Sequence, residues 1–261
     1  MRALWCSALL AALLGAWAAG AAEEIVTLQT RDGVTQSYLL SIPEGQKPAA
    51  VAVLFPGGQG DIRLRMWPKF ADGNFLVRSR MLFVDGGVAA AVVDAPSDES
   101  RGMNDSFRLG EKHAADIAAV VADLNKRFEN TPVFLVGTSR GTISAAATGR
   151  ALGDKVAGVV LTSTLFVAAR AGQGLSGFDF TTIKAPVLFV HHTDDACAVT
   201  PYSSAKSQTP RFPLVTVHGG DVPRSDACGA FSFHGYLGKE RETVETIVNW
   251  MLKKPYRENI D

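Results

Sequence analysis

Six short apolar runs limit the folds open to this chain, because they show no regular alternation with polar residues. A strand with one face in water alternates apolar and polar residues, whereas a strand of a parallel sheet, buried on both faces, is apolar throughout. The runs are AAVAVLF, AAAVVDAP, PVFLVG, VAGVVLTST, APVLFVHH and FPLVTVHGG, which begin at residues 49, 89, 132, 156, 185 and 212. We therefore predict a sheet of mostly parallel strands covered on both faces.

Helical patterns separate several of these runs. The segments LGEKHAADIAAVVADLNKRF, GTISAAATGRALG and GKERETVETIVNWMLKK are read as helices, the first and last with apolar residues along one face. The alternation predicts an α/β fold with a doubly wound sheet. A hairpin pattern around Asp32-Gly33 adds an N-terminal antiparallel pair. Residues 165–184 have no clear period and are interpreted as a minimal lid.

The N-terminal residues differ from the rest of the chain. MRALWCSALLAALLGAWAAGAA has one basic residue, then an apolar run, then small residues, which is typical of a secretory signal peptide. We predict a signal peptide over 1–22, with cleavage between Ala21 and Glu23, and a single domain over 23–261. The mature protein is then periplasmic or secreted. It keeps no membrane span, because no other segment is apolar enough.

Charge and cysteine content restrict the partners and the redox state. Lys plus Arg equals Asp plus Glu at 26 each, so no basic excess favours nucleic acid. We predict a monomer or a small homo-oligomer.

After signal cleavage only Cys197 and Cys228 remain, and an exported pair of this kind usually forms a disulfide. The alternative is two free buried thiols.

The sequence Gly137-Thr138-Ser139-Arg140-Gly141 has the pattern G-x-S-x-G. It closes an apolar run and opens a helical segment, the context in which such a serine is a nucleophile on a tight turn. There the Ser139 hydroxyl lies at the helix N-terminus, and the amide of Arg140 points at a developing oxyanion. The alternative is a structural turn bounded by glycines.

With this motif in place, the chain resembles an α/β-hydrolase over residues 48–254. In that family the oxyanion loop follows an early central strand, where this chain has LFPGGQG. The resemblance implies Gly58 as the second oxyanion donor, with Gln59 as the rival. Pro56 stands where many members have histidine, so the identity of the donor remains open.

The family's order of catalytic residues is serine, acid, histidine. When the family pattern H-G-x-x-D is aligned with the segment HHTDDAC, its final aspartate matches Asp195. The resemblance therefore implies Asp195 as the acid, with Asp194 as the alternative. The segment FHGY before the last helix implies His234 as the base in preference to His218. The implied function is a serine hydrolase that cleaves a small ester-type substrate through an acyl-enzyme and needs no cofactor and no metal.

Other functions remain open from the sequence alone. A metal-dependent hydrolase would use the loop from His191 to Asp195, although adjacent strand residues face opposite sides. A non-catalytic binding protein of the same fold is a further alternative. Carboxylesterase is the first choice of activity, with thioesterase, dienelactone-type hydrolase and peptidase still open.

Two further expectations concern position. His113 is expected on the surface of its helix. Residues 65–83 and 94–107 are expected to border the pocket, and none of their polar side chains is assigned a binding role. Those side chains are Asn74, Arg78, Arg80, Asp94, Ser97 and Asp98.

Overall fold

The computed structural model describes residues 22–71, 73–129, 131–170 and 172–261. Residues 1–21, which hold nearly all of the predicted signal peptide, lie outside the described residues. The strands are β1 (Ala22–Arg31), β2 (Val34–Ile42), β3 (Ala50–Phe55), β4 (Val88–Val93), β5 (Val133–Thr138), β6 (Gly158–Thr162), β7 (Val187–His192), β8 (Leu214–Val217) and β9 (Asn259–Ile260). The α-helices are α1 (Phe75–Arg78), α2 (Arg80–Asp85), α3 (Asp105–Leu109), α4 (Glu111–Arg127), α5 (Gly141–Leu152), α6 (Tyr202–Lys206) and α7 (Glu240–Met251).

All of these strands belong to one sheet with the order β1-β2-β4-β3-β5-β6-β7-β8-β9. The β1–β2 and β2–β4 pairs are antiparallel, and every other neighbouring pair is parallel. This confirms the predicted α/β fold with a mostly parallel sheet and an N-terminal antiparallel hairpin. The carboxyl ends of β3, β5, β6 and β7 lie at one edge, where such sheets usually bind ligands.

Each face of the sheet is covered by helices. Alternate residues of β3 face opposite sides, with Val53 and Phe55 in the core beneath α4 and α5. Leu54 faces the other core, beneath α1, α2 and α7. Burying a side chain of this size contributes about 1.5–3 kcal/mol, so the two cores hold the helices against both faces of the sheet.

Five elements were not expected from the sequence. Helices α1, α2, α3 and α6 span four, six, five and five residues, which is too short for an apolar period to be recognised. Strand β9 has two residues and pairs with β8 beyond the last helix. Within the described ranges, no helix has both the length and the hydropathy needed to cross a bilayer.

Candidate active site

Ser139 occupies a turn that only small neighbours permit. It has φ of 53° and lies between β5 and α5. A Cβ added to Gly141 would lie 2.0 Å from the carbonyl oxygen of Phe55, and one added to Gly137 would lie 2.5 Å from the carbonyl oxygen of Gly141. No side chain fits at either position. The two glycines of G-x-S-x-G are therefore required by the contact of Gly141 with strand β3 and of Gly137 with the backbone at the start of α5.

His234 lies in a 3₁₀ turn, Phe233–Gly235, between β8 and α7. Its carbonyl accepts a hydrogen bond from Ser163 Oγ at 2.8 Å, and its amide donates to Ser232 Oγ at 3.2 Å. The buried Tyr236 donates to the carbonyl of Val190 at 2.7 Å, which ties the turn to strand β7. The imidazole is thus carried on a backbone fixed from several sides.

Asp195 contacts His234 directly. Its Oδ2 accepts hydrogen bonds from His234 Nδ1 at 2.9 Å and from Thr200 Oγ1 at 2.8 Å. Its Oδ1 accepts from the Cys197 amide at 3.0 Å. Asp194, the alternative acid, is exposed on the same loop, and only its backbone amide is engaged, donating to a ring nitrogen of His192. The structure therefore pairs His234 with Asp195 and not with Asp194.

This contact fixes the tautomer of His234. Because Nδ1 donates to a carboxylate, Nε2 is left as the acceptor. Nε2 is buried and has no hydrogen-bond partner among the described residues. His234 and Ser139 both border an open cavity of about 360 Å³. A base of this kind needs the serine or a water within hydrogen-bond reach, and that contact often forms only with substrate bound.

The segment after β3 forms a tight turn beside Ser139. The Gly57 carbonyl accepts from the Gly60 amide at 3.3 Å, and Gly58 has φ of 61°. In the described part of the chain, the amides of Gly58, Gln59 and Arg140 have no acceptor. Gly58 and Ser139 border the same cavity. The turn thus places unused N–H groups next to the candidate nucleophile.

A fully buried guanidinium supports this turn from behind. Arg108 is 1% exposed and donates from Nη2 to the Gly58 carbonyl at 3.2 Å and from Nη1 to Ser144 Oγ at 2.9 Å. Burial, with a smaller effect of the nearby Arg140, lowers its pKa to about 9. Burying a cation costs free energy unless hydrogen bonds or nearby negative charge compensate for it. This guanidinium donates to the backbone of the turn.

A second cavity of about 300 Å³ adjoins the first at Gly58, Ser139 and Cys228. Its wall includes the ion pair of Arg140 with Asp105, whose other oxygen accepts from the Gly174 amide at 2.9 Å. Ala169 and Gly172, from the segment interpreted as a lid, also border this space. Ser139 therefore lies between two small compartments.

The predicted disulfide between Cys197 and Cys228 is present. Cys197 is two residues from Asp195, and Cys228 is six residues before His234. Cys197 is buried, whereas Cys228 is exposed and borders both cavities. The bridge joins the loop that carries the carboxylate to the loop that carries the imidazole.

The two adjacent histidines of β7 have separate roles. His191 Nε2 accepts from the Thr164 amide at 2.8 Å, and burial lowers the pKa of His191 to about 3. The ring nitrogens of His192 bond to the backbone of Asp194 and Gly219. The two rings therefore do not share a ligand position with Asp195.

In the described ranges, one group of three potential metal ligands lies within 4.8 Å: Asp195, Cys197 and His234. The sulfur of Cys197 is bonded to Cys228, and the other two groups are hydrogen-bonded to each other. The donor set is thus already used by bonds within the protein.

Other candidate residues lie away from the cavity. His218 Nδ1 is 3.2 Å from Thr193 Oγ1, not at Asp195. Arg80 pairs with Glu23, and Asp98 pairs with Arg31. Asp94 accepts the amides of residues 62 and 64, and with Ser97 it borders a different cavity. Of the six polar side chains named from the sequence, Asn74 borders the cavity that contains Ser139.

The expectation for His113 was wrong. It is 1% exposed in α4 and packs against the rings of Phe55 and Phe107. Burial lowers its pKa to about 3. The prediction missed that His113 is four residues before Ile117 and therefore lies on the same buried face of α4.

Several supporting residues were missed from the sequence: Thr200, Ser163, Tyr236 and Arg108. Ser163, Tyr236 and Arg108 act through contacts between segments far apart in the chain, whereas Thr200 contacts Asp195 within the same loop. A single sequence holds no local signal for either kind of contact.

No protein-family model and no curated protein matches the chain. Solved structures do. Est1E from Butyrivibrio proteoclasticus is similar with a TM-score of 0.61 and 17% identity, over 88% of this chain and 98% of the other. A cold-adapted esterase from an Arctic intertidal metagenomic library has a TM-score of 0.59 and 16% identity, over 89% and 93%.

A third similar structure is an α/β serine hydrolase without a lid from Xanthomonas campestris. Its TM-score is 0.59 and its identity 14%, over 88% of this chain and 94% of the other. At such identities the similarity establishes architecture, and the strand order agrees with it. The chain has the α/β-hydrolase fold.

Proposed function

We propose that this protein is an exported serine hydrolase that cleaves a small ester-type substrate through Ser139, His234 and Asp195. The observation that carries the proposal is the 2.9 Å hydrogen bond from His234 Nδ1 to Asp195, which leaves Nε2 unpartnered among the described residues beside the cavity that Ser139 borders. Similarity to solved esterases supports the reaction class.

The first step is acylation. His234 Nε2 takes the proton of the Ser139 hydroxyl as Oγ attacks the substrate carbonyl, and a C–O bond forms. Asp195 stabilises the resulting imidazolium. The negative charge on the carbonyl oxygen is held by the free amides of Gly58 and Arg140. The tetrahedral species collapses when His234 returns its proton to the leaving alcohol.

The second step releases the acid. Water loses a proton to His234 Nε2 and attacks the acyl-enzyme carbonyl, and the same two amides hold the oxyanion. Collapse restores the Ser139 hydroxyl with the proton from His234. The net reaction is ester plus water giving acid plus alcohol.

The size of the two cavities bears on the substrate. At about 360 and 300 Å³, each lies near the lower end of the range for small-molecule sites. We therefore expect short acyl groups to be preferred over long alkyl chains. A ferulic acid complex of Est1E is known, so methyl ferulate belongs in the test panel beside p-nitrophenyl acetate and p-nitrophenyl dodecanoate.

The decisive experiment is active-site labelling. A fluorophosphonate probe should label the wild-type protein and fail to label Ser139→Ala or His234→Ala at equal concentration. Ester hydrolysis should fall by at least roughly 1,000-fold in both variants, since the serine and histidine act as one unit. Persistent labelling of Ser139→Ala would exclude the mechanism.

The neighbouring aspartates supply a matched control. Asp195→Asn should lower kcat by roughly 10,000-fold, because the amide no longer fixes the tautomer of His234. Asp194→Asn makes the same chemical change one residue away on an exposed side chain, and it should leave kcat within about threefold. Equal losses in the two variants would argue against Asp195 as the orienting acid.

Export is part of the proposal. It is supported by the character of residues 1–22 and by a disulfide, which persists in oxidising compartments. Intact mass of the protein recovered from outside the cytoplasm should show that residues 1–22 have been removed. An unprocessed chain found only in the cytoplasm would refute it.

A further inference from the structure

Asn74 lies beside the candidate nucleophile, and the proposed mechanism gives its side-chain amide no role. It is half-buried and borders the cavity that also contains Ser139 and His234. A Cβ added to Gly57 would lie 3.0 Å from Ser139 Cβ and 3.2 Å from Asn74 Nδ2. Both atoms therefore border the same small space next to the oxyanion turn.

The orientation of this side-chain amide follows from its backbone role. Asn74 is the N-cap of α1, and its Oδ1 accepts a hydrogen bond from the Leu76 amide at 3.2 Å. With the oxygen engaged by the helix, Nδ2 points the opposite way, toward Gly57. Within the described residues, Nδ2 donates no hydrogen bond, and the recorded side-chain hydrogen bond of Asn74 is the one accepted by Oδ1.

The segment that carries Asn74 is braced against the loop of His234. Arg78 donates to the carbonyl of Gly73 at 2.9 Å and to the carbonyl of Gly235 at 2.6 Å, and it pairs with Glu240. Phe75 packs on Tyr236 with ring centroids 4.7 Å apart. The side chain at position 74 is thus held in register with the proposed base.

We propose that Asn74 Nδ2 is a third donor to the oxyanion, in addition to the backbone amides of Gly58 and Arg140. The inference rests on the proposed serine-hydrolase function. A donor fixed in advance at the site of developing charge stabilises the transition state more than the bound ester. Asn74 is in this sense a catalytic residue, and its contribution falls on kcat and not on KM.

The test separates the donor from the helix cap. Asn74→Asp and Asn74→Ser both keep a side-chain oxygen able to cap α1, since Asp, Ser and Asn are comparable N-caps. Neither retains the Nδ2 donor. With p-nitrophenyl acetate we expect kcat to fall roughly 100-fold in both variants, KM to change less than about threefold, and the urea midpoint to stay near wild type.

Asn104 provides a matched control, because it is the N-cap of α3 and accepts from the Phe107 amide at 2.8 Å outside both cavities. Asn104→Ser and Asn104→Asp make the same changes and should leave kcat unchanged. The proposal is overturned if either folded Asn74 variant keeps wild-type kcat. It is also overturned if kcat falls in Asn74→Asp alone, since added charge and not the lost donor would then be the cause.

Failure of this inference can be told apart from failure of the proposed function. If Ser139→Ala is inactive and unlabelled while Asn74→Ser keeps full kcat, the hydrolase mechanism stands and only the third donor is refuted. If Ser139→Ala stays active, both proposals fall together.

Discussion

At the scale of single residues, the site depends on buried polar groups whose hydrogen bonds restrict what each can do. Arg108 is the strongest case, because its guanidinium is buried and no carboxylate within the described residues forms an ion pair with it. Its two donors bridge Ser144 on α5 and the carbonyl of Gly58. A positive charge held this close to the oxyanion turn in a low-dielectric setting also favours developing negative charge.

We expect substitutions of Arg108 to affect the rate more than the fold. Arg108→Lys keeps the charge but cannot reach both acceptors, and Arg108→Met removes charge and donors together. The kcat values should rank wild type, then lysine, then methionine, with about a 10- to 100-fold loss in the last. The free energy of unfolding should change by no more than about 2 kcal/mol, since replacing a buried ion with an apolar group is often tolerated.

Steady-state kinetics and urea denaturation on the same preparations check this prediction. A methionine variant with wild-type kcat would show that Arg108 only fills space behind the turn.

Part of the site followed from local sequence and part did not. The turn at Ser139 has a compact motif because glycine is required at fixed distances from the serine, and family order then indicated His234 and Asp195. Thr200 and Arg108 left no such trace. Arg108 contacts another loop and Thr200 contacts Asp195 within its own loop. In either case a hydroxyl or guanidinium in a sequence does not reveal what it will contact.

At the scale of elements, the central strands of the sheet, buried on both faces, were predictable and the shortest helices and strand were not. A run such as AVAVLF is apolar because both faces of β3 are covered, and this leaves a clear pattern. Helix α1 has only four residues, and β9 has two, so their formation depends on tertiary contacts and not on periodicity. His113, by contrast, is interior for a local reason, since it lies four residues before Ile117 on the buried face of α4.

Helix α4 makes stability depend on pH through His113. Burial, with Arg108 and Arg31 nearby, lowers its pKa from 6.5 to about 3. Between these values the unfolded chain binds more protons than the folded one, so stability is complete above pH 6.5 and declines as the pH falls toward 3. The slope is at most about 1.4 kcal/mol per pH unit for one such group.

His113→Leu should remove this contribution. We expect the difference in urea midpoint between pH 7.5 and pH 5.0 to be smaller in the variant than in wild type. His191, lowered to about 3 by burial in the same way, should keep part of the dependence. An unchanged difference would show that His113 is not a source of acid sensitivity.

At the scale of the whole molecule, the proposed site is assembled from loops after β3, β5, β7 and β8, which only the folded sheet brings together. The bridge from Cys197 to Cys228 links two of those loops across 31 residues of sequence. Closing a loop of that length in the unfolded chain contributes about 3–4 kcal/mol in the chain-entropy model.

We expect the double variant Cys197→Ala/Cys228→Ala to lose about 2–4 kcal/mol of unfolding free energy and to have a lower kcat. The rate should fall because the carboxylate and imidazole loops are no longer held in register. Dithiothreitol treatment of the wild type should reproduce both effects. A variant with unchanged stability and unchanged kcat would contradict a role for the bridge in either.

The lack of space beneath Ser139 has a consequence for anyone wishing to redesign this protein. Positions 137 and 141 touch backbone on their inner side, so libraries that randomise them will return mainly misfolded clones. Tolerance should instead be found on the outer rim, where Gln59 is exposed and Ala230 is partly so at the mouth of the larger compartment. Selectivity of the pocket can therefore be evolved from its entrance inward while the floor stays unaltered.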